Sequence, residues 1–406
     1  MAIGEARFPK MYSVPGFKLG VASAGIKRPG RRDLVIMEAA PESTIAGVFT
    51  TNAFCAAPVT LCKQRLAEGN PRYLVTNTGN ANACTGQAGL GDAETVCKAV
   101  AESVGCAPSD VLPFSTGVIG EPLPVQKILA ALPTATSGLA EDQWENAAHG
   151  ILTTDTRPKG ASVSFSYLGE TIVVTGIAKG SGMIRPNMAT MLGYVATNAR
   201  VEKPILQALL REATDLSFNR ITVDGDTSTN DSGVLIATGQ TTLPTVSDQV
   251  CELYQLLRTA VIEVHQSLAK AIVEDGEGAT KFVTVEVTGA RERSDATKIA
   301  YAVAHSPLIK TALFASDPNW GRIVAAIGYA GVADLDAEKV RVHLGDVLIV
   351  ESGGRAAGYT EAQGQAVMNE VYIEIKIDLG MGQAKDTVWT TDLSYDYIKI
   401  NADYRS

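Results

Sequence analysis

The sequence is short of the features that mark whole classes of protein. Aromatic residues make up 6% of its 406 positions and charged residues 19%. No stretch approaches about 18 uninterrupted apolar residues, so nothing reads as a membrane span. There is no Lys/Arg-rich block and the net charge is −9, which makes nucleic acid and anionic membrane poor partners. The six cysteines (Cys55, Cys62, Cys84, Cys97, Cys106, Cys251) lack C-x-x-C spacing and read as reduced thiols. The opening stretch, Met1 to Lys10, has no apolar signal core, and the expected location is the cytoplasm. Only four histidines occur (His149, His265, His305, His343), none inside a glycine-rich nucleophile motif, and there is no G-x-S-x-G elbow. A Ser-His-Asp triad is therefore not signposted.

What is present is apolar residues, at 46%, and 38 glycines, the mark of a soluble protein with a sizeable core and many tight turns. The length implies one large or two intertwined domains. Val371 to Leu379 alternates apolar and polar residues and predicts a strand with one wet face. Residues 281–288 and 340–351 read similarly, the latter turning at Gly345-Asp346. Val250, Leu253, Leu257, Val261, Val264, Leu268 and Ile272 recur at helical spacing and predict a helix over 248–273, capped by Ser247 or Asp248. Shorter helices fit 91–104 and 203–215. Strands and helices mix without a steady β-α-β rhythm, which predicts α+β layers rather than a doubly wound sheet.

The most informative stretch is Lys179-Gly-Ser-Gly-Met-Ile-Arg-Pro-Asn-Met-Ala-Thr190-Met-Leu-Gly193, after a strand-like run at 170–175. A strand, a glycine-rich bend and an isolated Thr after small Ala189 suit the display of one nucleophile. A threonine hydroxyl needs a nearby base. If the Ala189–Thr190 bond breaks, Thr190 gains an α-amine, whose reference pKa of about 7.7–8.0 lets it take the hydroxyl proton near neutrality. The competing reading is that Thr190 merely opens the buried segment Met191 to Val195.

The stretch is similar to the self-cleavage site of the ornithine acetyltransferase (glutamate N-acetyltransferase) family, and the similarity runs over essentially the whole chain. The resemblance implies a layered sandwich of helices on paired sheets, with a smaller, mostly C-terminal domain at about 285–400. It implies self-cleavage into residues 1–189 and 190–406, with Thr190 as nucleophile. Thr116 and Gly117, in Phe114-Ser-Thr-Gly-Val-Ile-Gly120, match the family's oxyanion hole. Substrate contacts are implied for Thr153, Lys179, Thr190, Glu277, Asn401 and Ser406. Thr154 and Thr156 are alternatives to Thr153, and Ser406 stands where the family commonly has Thr. Lys179 offers a cation for a carboxylate and Glu277 an anion for an ammonium.

The implied activity moves an acetyl group from N2-acetyl-L-ornithine to L-glutamate through an acetyl-threonine, without metal or organic cofactor. Acetyl-CoA is a further donor in bifunctional members. The implied assembly is a dimer of cleaved pairs. Three competitors stand beside this: an N-terminal-nucleophile aminopeptidase or amidohydrolase using water, a bifunctional acetyl-CoA-dependent synthase, and a non-enzymatic scaffold. Asp224 to Asp231 resembles an acidic metal loop but lacks the EF-hand glycine and glutamate, and is expected to be a turn. Gly180-Ser-Gly182 fails the dinucleotide pattern because Arg185 replaces the third glycine, and Gly278 to Lys281 is not a phosphate loop. Thr76 to Ala83 and Ser316 to Arg322 are expected to be turns and scaffold, and candidates for the site wall.

Overall fold

The computed structural model describes residues 2–4, 7–185 and 191–403. The chain forms two compact units: residues 7–219 with 226–272, and residues 1–6 and 220–225 with 273–406. Among the described residues there are three sheets and eleven α-helices, an α+β architecture.

The larger unit holds strands β1 (Phe17–Ala22), β2 (Leu34–Ala39), β3 (Thr44–Phe49), β4 (Tyr73–Asn80), β5 (Val111–Val118), β6 (Lys159–Tyr167), β7 (Glu170–Lys179), β8 (Leu192–Thr197) and β9 (Ser232–Ala237). Its helices are α1 (Ala57–Glu68), α2 (Gly86–Val104), α3 (Val125–Ser137), α4 (Trp144–Gly150), α5 (Lys203–Asp215) and α6 (Glu252–Glu274), the last running on into the other unit. One sheet has the order β1-β2-β4-β5 and the other β3-β9-β8-β7-β6. Most pairs are antiparallel. The two parallel pairs, β4 with β5 and β8 with β9, each have a helix in the crossover, α2 and α5, as parallel neighbours require.

Alternation along the strands explains the layering. Leu74, Leu112 and Phe114 share one face of the four-stranded sheet and form a single core with Ile177, Leu192, Tyr194, Val234 and Ile236 of the five-stranded sheet. The opposite face of the first sheet, with Leu34, Ile36, Val75 and Val111, is packed by Val96, Cys97 and Val100 of α2 and Ile128, Leu132 and Ala135 of α3. Apolar residues on both sides of a strand therefore belong to two separate cores. This is the layered sandwich of helices and paired sheets that the resemblance implied.

The smaller unit carries β10 (Phe282–Ala290), α7 (Arg293–His305), α8 (Pro307–Phe314), α9 (Trp320–Tyr329), β11 (Arg341–Leu344), β12 (Val347–Glu351), β13 (Gly354–Arg355), α10 (Glu361–Met368), β14 (Tyr372–Asp378), β15 (Ala384–Thr391) and α11 (Tyr395–Ala402). Its sheet order is β13-β12-β11-β14-β10-β15. Ile373, Ile375 and Ile377 are buried while Tyr372 and Glu374 are exposed, as the alternation in β14 predicts. β11 and β12 form a hairpin around Gly345-Asp346.

Three elements differ from the sequence reading. Helix α6 starts at Glu252, not 248: the Asp248 carboxylate accepts from the N–H groups of Val250 and Cys251, and Val250 is 86% exposed, off the buried stripe. Thr76 to Asn80 is not a turn but the end of strand β4, and Phe114 to Val118 is the end of strand β5. Turn-forming residues survive there because side chains replace the missing apolar packing. Thr76 Oγ1 shares a hydrogen bond of 2.8 Å with Tyr194 Oη, Asn77 Nδ2 donates to the Asn80 carbonyl (3.0 Å), and Ser115 Oγ donates to Asn77 Oδ1 (2.6 Å).

Candidate active site

Thr116 and Lys179 come from different sheets and meet. Lys179 ends β7 and Thr116 lies near the end of β5. Both are buried, and Lys179 Nζ donates to Thr116 Oγ1 at 3.3 Å. An ammonium has no acceptor, so the threonine oxygen accepts this bond and its own O–H is left to donate elsewhere. The hydroxyl is thereby both polarised and aimed by exclusion.

Gly117 follows in a conformation that side chains rarely adopt, with φ of 140°. A Cβ there would lie 2.3 Å from the carbonyl carbon of Gly79 on β4, so only glycine lets the two strand ends close. Asn230 locks the same region, its Nδ2 donating to the carbonyls of Ala81 (2.5 Å) and Ser115 (2.9 Å).

Asp155 lies close enough to Lys179 for the two charges to interact. Asp155 Oδ1 accepts from Lys159 Nζ (2.6 Å) and from the Gly180 N–H (2.7 Å), and Oδ2 accepts from the Thr153 N–H (3.0 Å). The Asp155 and Lys159 side chains are fully buried. Burial opposes the Asp155 charge, but the Lys159 and Lys179 ammonium groups and hydrogen bonds from Lys159 and Thr153 outweigh it, so the carboxyl is held well below the usual carboxylate range. One carboxylate thus ties the loop at 153–155 to the bend that begins at Gly180. That bend needs its glycine: φ is 154°, and a Cβ would stand 3.0 Å from Ile184 Cδ1. Thr154 Oγ1 shares a 2.7 Å hydrogen bond with Ser181 Oγ, and Arg31 Nη2 donates to the carbonyls of Leu152 (2.7 Å) and Thr153 (2.9 Å).

In the smaller unit, Asn401 Nδ2 donates to Glu277 Oε2 (2.8 Å) and to the Tyr397 carbonyl (3.0 Å). Ser394 caps α11, accepting from the Tyr397 N–H and donating to the Gly278 carbonyl (2.6 Å). The loop holding Glu277 and the helix holding Asn401 are thus stitched together.

A profile of the ArgJ family matches residues 18–406. The chain belongs to the ArgJ family. The arginine biosynthesis bifunctional protein ArgJ of Pseudomonas syringae pv. tomato is 60% identical to it over 406 residues, covering 100% of both chains. The protein of the same name from Pseudomonas fluorescens is also 60% identical, with the same coverage. A crystal structure of the arginine biosynthesis bifunctional protein ArgJ from Bacillus halodurans matches with 38% identity and a TM-score of 0.50, covering 52% of this chain and 99% of that one. As an ArgJ-family member the chain is an enzyme, an acetyltransferase.

Of the site residues expected from sequence, the structure brings Lys179 together with Thr116, and Glu277 with Asn401. Gly117 adjoins Thr116, and Thr153 is held by its backbone to Asp155. Thr154, rather than Thr153, is the threonine whose hydroxyl reaches the Gly180 bend. Ala189, Thr190 and Ser406 lie outside the described residues. Sequence reasoning did not single out Asp155, Lys159 or Asn230. Asp155 lies in a loop and Lys159 starts β6, so their i, i+4 spacing carries no helical pairing signal, and Asn230 looked like one more polar residue of an acidic turn.

Proposed function

We propose that this ArgJ-family enzyme transfers an acetyl group from N2-acetyl-L-ornithine to L-glutamate through an acetyl-Thr190 ester, after cutting itself between Ala189 and Thr190. The observation that carries the reading is the Lys179–Thr116 bond, which sets a polarised hydroxyl donor at the entry of the segment bearing the expected nucleophile. The full-length identity to relatives named for arginine biosynthesis supports the substrate class.

In the cutting step the Thr190 hydroxyl attacks the Ala189 carbonyl, the peptide C–N bond breaks, and an ester forms. Water hydrolyses that ester, leaving a carboxylate on Ala189 and a free α-amine on Thr190. In turnover the Thr190 oxygen attacks the acetyl carbonyl while the α-amine takes its proton. The oxyanion is held by the Thr116 hydroxyl and the Gly117 N–H, a donor pair of the kind worth about 3–4 kcal/mol per donor. The C–N bond breaks and ornithine leaves with the proton. The α-amine of glutamate then attacks the ester, the C–O bond breaks, and the Thr190 hydroxyl is restored. Asp155 keeps Lys179 and the bend in place. Thr153, Lys179, Glu277, Asn401 and Ser406 are the proposed substrate contacts, and both half-reactions bind the same α-amino-acid head, which ornithine and glutamate share. No metal or organic cofactor takes part, the cleaved pairs assemble as a dimer, and the enzyme works in the cytoplasm.

The test is acetyl transfer measured with isotope-labelled N2-acetyl-ornithine, with and without glutamate. Labelled N-acetylglutamate as the main product is expected; free acetate as the main product in the presence of glutamate would replace the transferase by a hydrolase. A second reading, acetyl-CoA as an additional donor, is favoured by the word bifunctional in the relatives' names. Formation of N-acetylglutamate from acetyl-CoA and glutamate alone is its expected sign, and its absence would restrict the enzyme to acetyl-ornithine.

A further inference from the structure

Thr78 is a buried hydroxyl that the reaction as described does not use. It is 1% exposed, and its Oγ1 has no hydrogen-bond partner among the described residues. Burying a hydroxyl unpaired costs about 1–3 kcal/mol, so such groups in a native core call for an explanation. The polar residues around it are satisfied: Thr76, Asn77, Asn80 and Asn82 of the same segment all have partners.

Its place in the sheet says what it faces. β4 and β5 are parallel, and Thr78 is the register partner of Thr116. Partners in register on adjacent strands stand about 4.8 Å apart and point to the same side. That side is the one between the two sheets: Leu74, Leu112 and Phe114, at the same alternation, lie in the inter-sheet core, whereas Val75 and Val111 lie in the core under α2 and α3. The level is fixed by two contacts across the gap. Thr76 meets Tyr194 of β8, and Thr116 meets Lys179, the register partner of Leu192 at the start of β8. Thr78 lies one alternation beyond Thr76, level with Thr116 and with the start of β8.

We propose that Thr78 is a further catalytic residue, a third hydrogen-bond donor for the acyl oxygen beside Thr116 and Gly117. It forms and breaks no covalent bond and keeps its proton. Its hydroxyl finds its partner only when negative charge develops on the acyl oxygen, so the cost of leaving it unpaired in the free protein becomes binding energy in the transition state. This rests on the transferase reading above.

That origin makes a structural role and a catalytic role separable. Replacing Thr78 by isosteric Val removes an unpaired hydroxyl and keeps the shape, so stability stays level or rises. In the full-length protein, Thr78→Val is expected to match or exceed the wild-type Tm while kcat for acetyl transfer falls about 10- to 1000-fold and KM for N2-acetyl-ornithine stays within about 2-fold. Self-cutting is expected to slow as well, since it passes through the same kind of oxyanion, and Thr78→Ser is expected to recover most of both rates. Wild-type kcat in Thr78→Val overturns the proposal. So does a fall in Tm or a failure to fold, which would mean that the hydroxyl already had a structural partner. A wild-type enzyme that cuts itself and transfers acetyl alongside an equally active Thr78→Val removes Thr78 alone. A wild type that forms no acetyl-enzyme removes the transferase reading and this inference with it.

Discussion

Lys179 is a buried cation with two local duties: it donates to the Thr116 hydroxyl and it faces the Asp155 carboxylate. Lys179→Met keeps the stem and deletes the charge. Thr116 then loses the bond that aims its O–H, and about 10²-fold in kcat is the expected loss, read in the acetyl-transfer assay. A wild-type kcat would show that Thr116 does not depend on Lys179. Asp155→Asn is a different kind of change. It removes the carboxylate that pairs with the fully buried Lys159, and breaking a buried pair from one side typically costs about 3–5 kcal/mol. A drop of that order in the urea-unfolding free energy is expected. Because the Asp155 carboxyl is held below its unfolded value, its contribution is present above about pH 4 and is lost as the pH falls below the ordinary carboxylate range.

At the scale of elements, the expected cut at 189/190 falls between β7 and β8, which are hydrogen-bonded neighbours from Val174 with Thr197 to Lys179 with Leu192. β3, from the first part of the chain, pairs with β9 from the second along six residues. A cut chain therefore shares one sheet. The two fragments are expected to elute together on gel filtration and to part only in denaturant; separation in native buffer would contradict the pairing. The strands also show what could be read from sequence. β14 and the β11–β12 hairpin were legible because one face of each is wet and alternation survives. The ends of β4 and β5 were not. Asn77, Thr78, Gly79, Ser115 and Gly117 look like turn formers, yet they continue a buried strand, because Asn and Ser side chains bond neighbouring groups and paired glycines let the strands approach. Thr116 and Gly117 were legible only through family resemblance, and the supporting shell of Asp155, Lys159 and Asn230 depends on contacts far apart in sequence.

At the scale of the whole molecule, composition does not mark where one unit passes into the other, because the larger one is assembled from two segments and no linker composition marks the crossings at 219/220 and 272/273. Acid sensitivity belongs to this scale too. His265 on α6 is fully buried, its Nδ1 donating to the Val261 carbonyl (2.7 Å) and its ring against Phe218. Burial pulls its pKa down to about 4, against the bond to Val261, which favours the charged form. The unfolded chain takes up a proton near pH 6.5 and the folded one does not, so stability is full above that value and falls as the pH drops toward 4. The loss is about 3 kcal/mol at most. His265→Gln is expected to flatten the dependence of Tm on pH across this window, whereas an unchanged slope would assign the acid response to other groups.

Thr190 is proposed as both the cutting residue and the acetyl carrier. The most direct test is the intact mass of wild type and Thr190→Ala after brief incubation with N2-acetyl-ornithine. Two wild-type fragments of 189 and 217 residues, the larger one acetyl group heavier, and an uncut, unmodified variant are the result expected. A single uncut wild-type chain carrying no acetyl group would contradict the account and return Thr190 to a structural role.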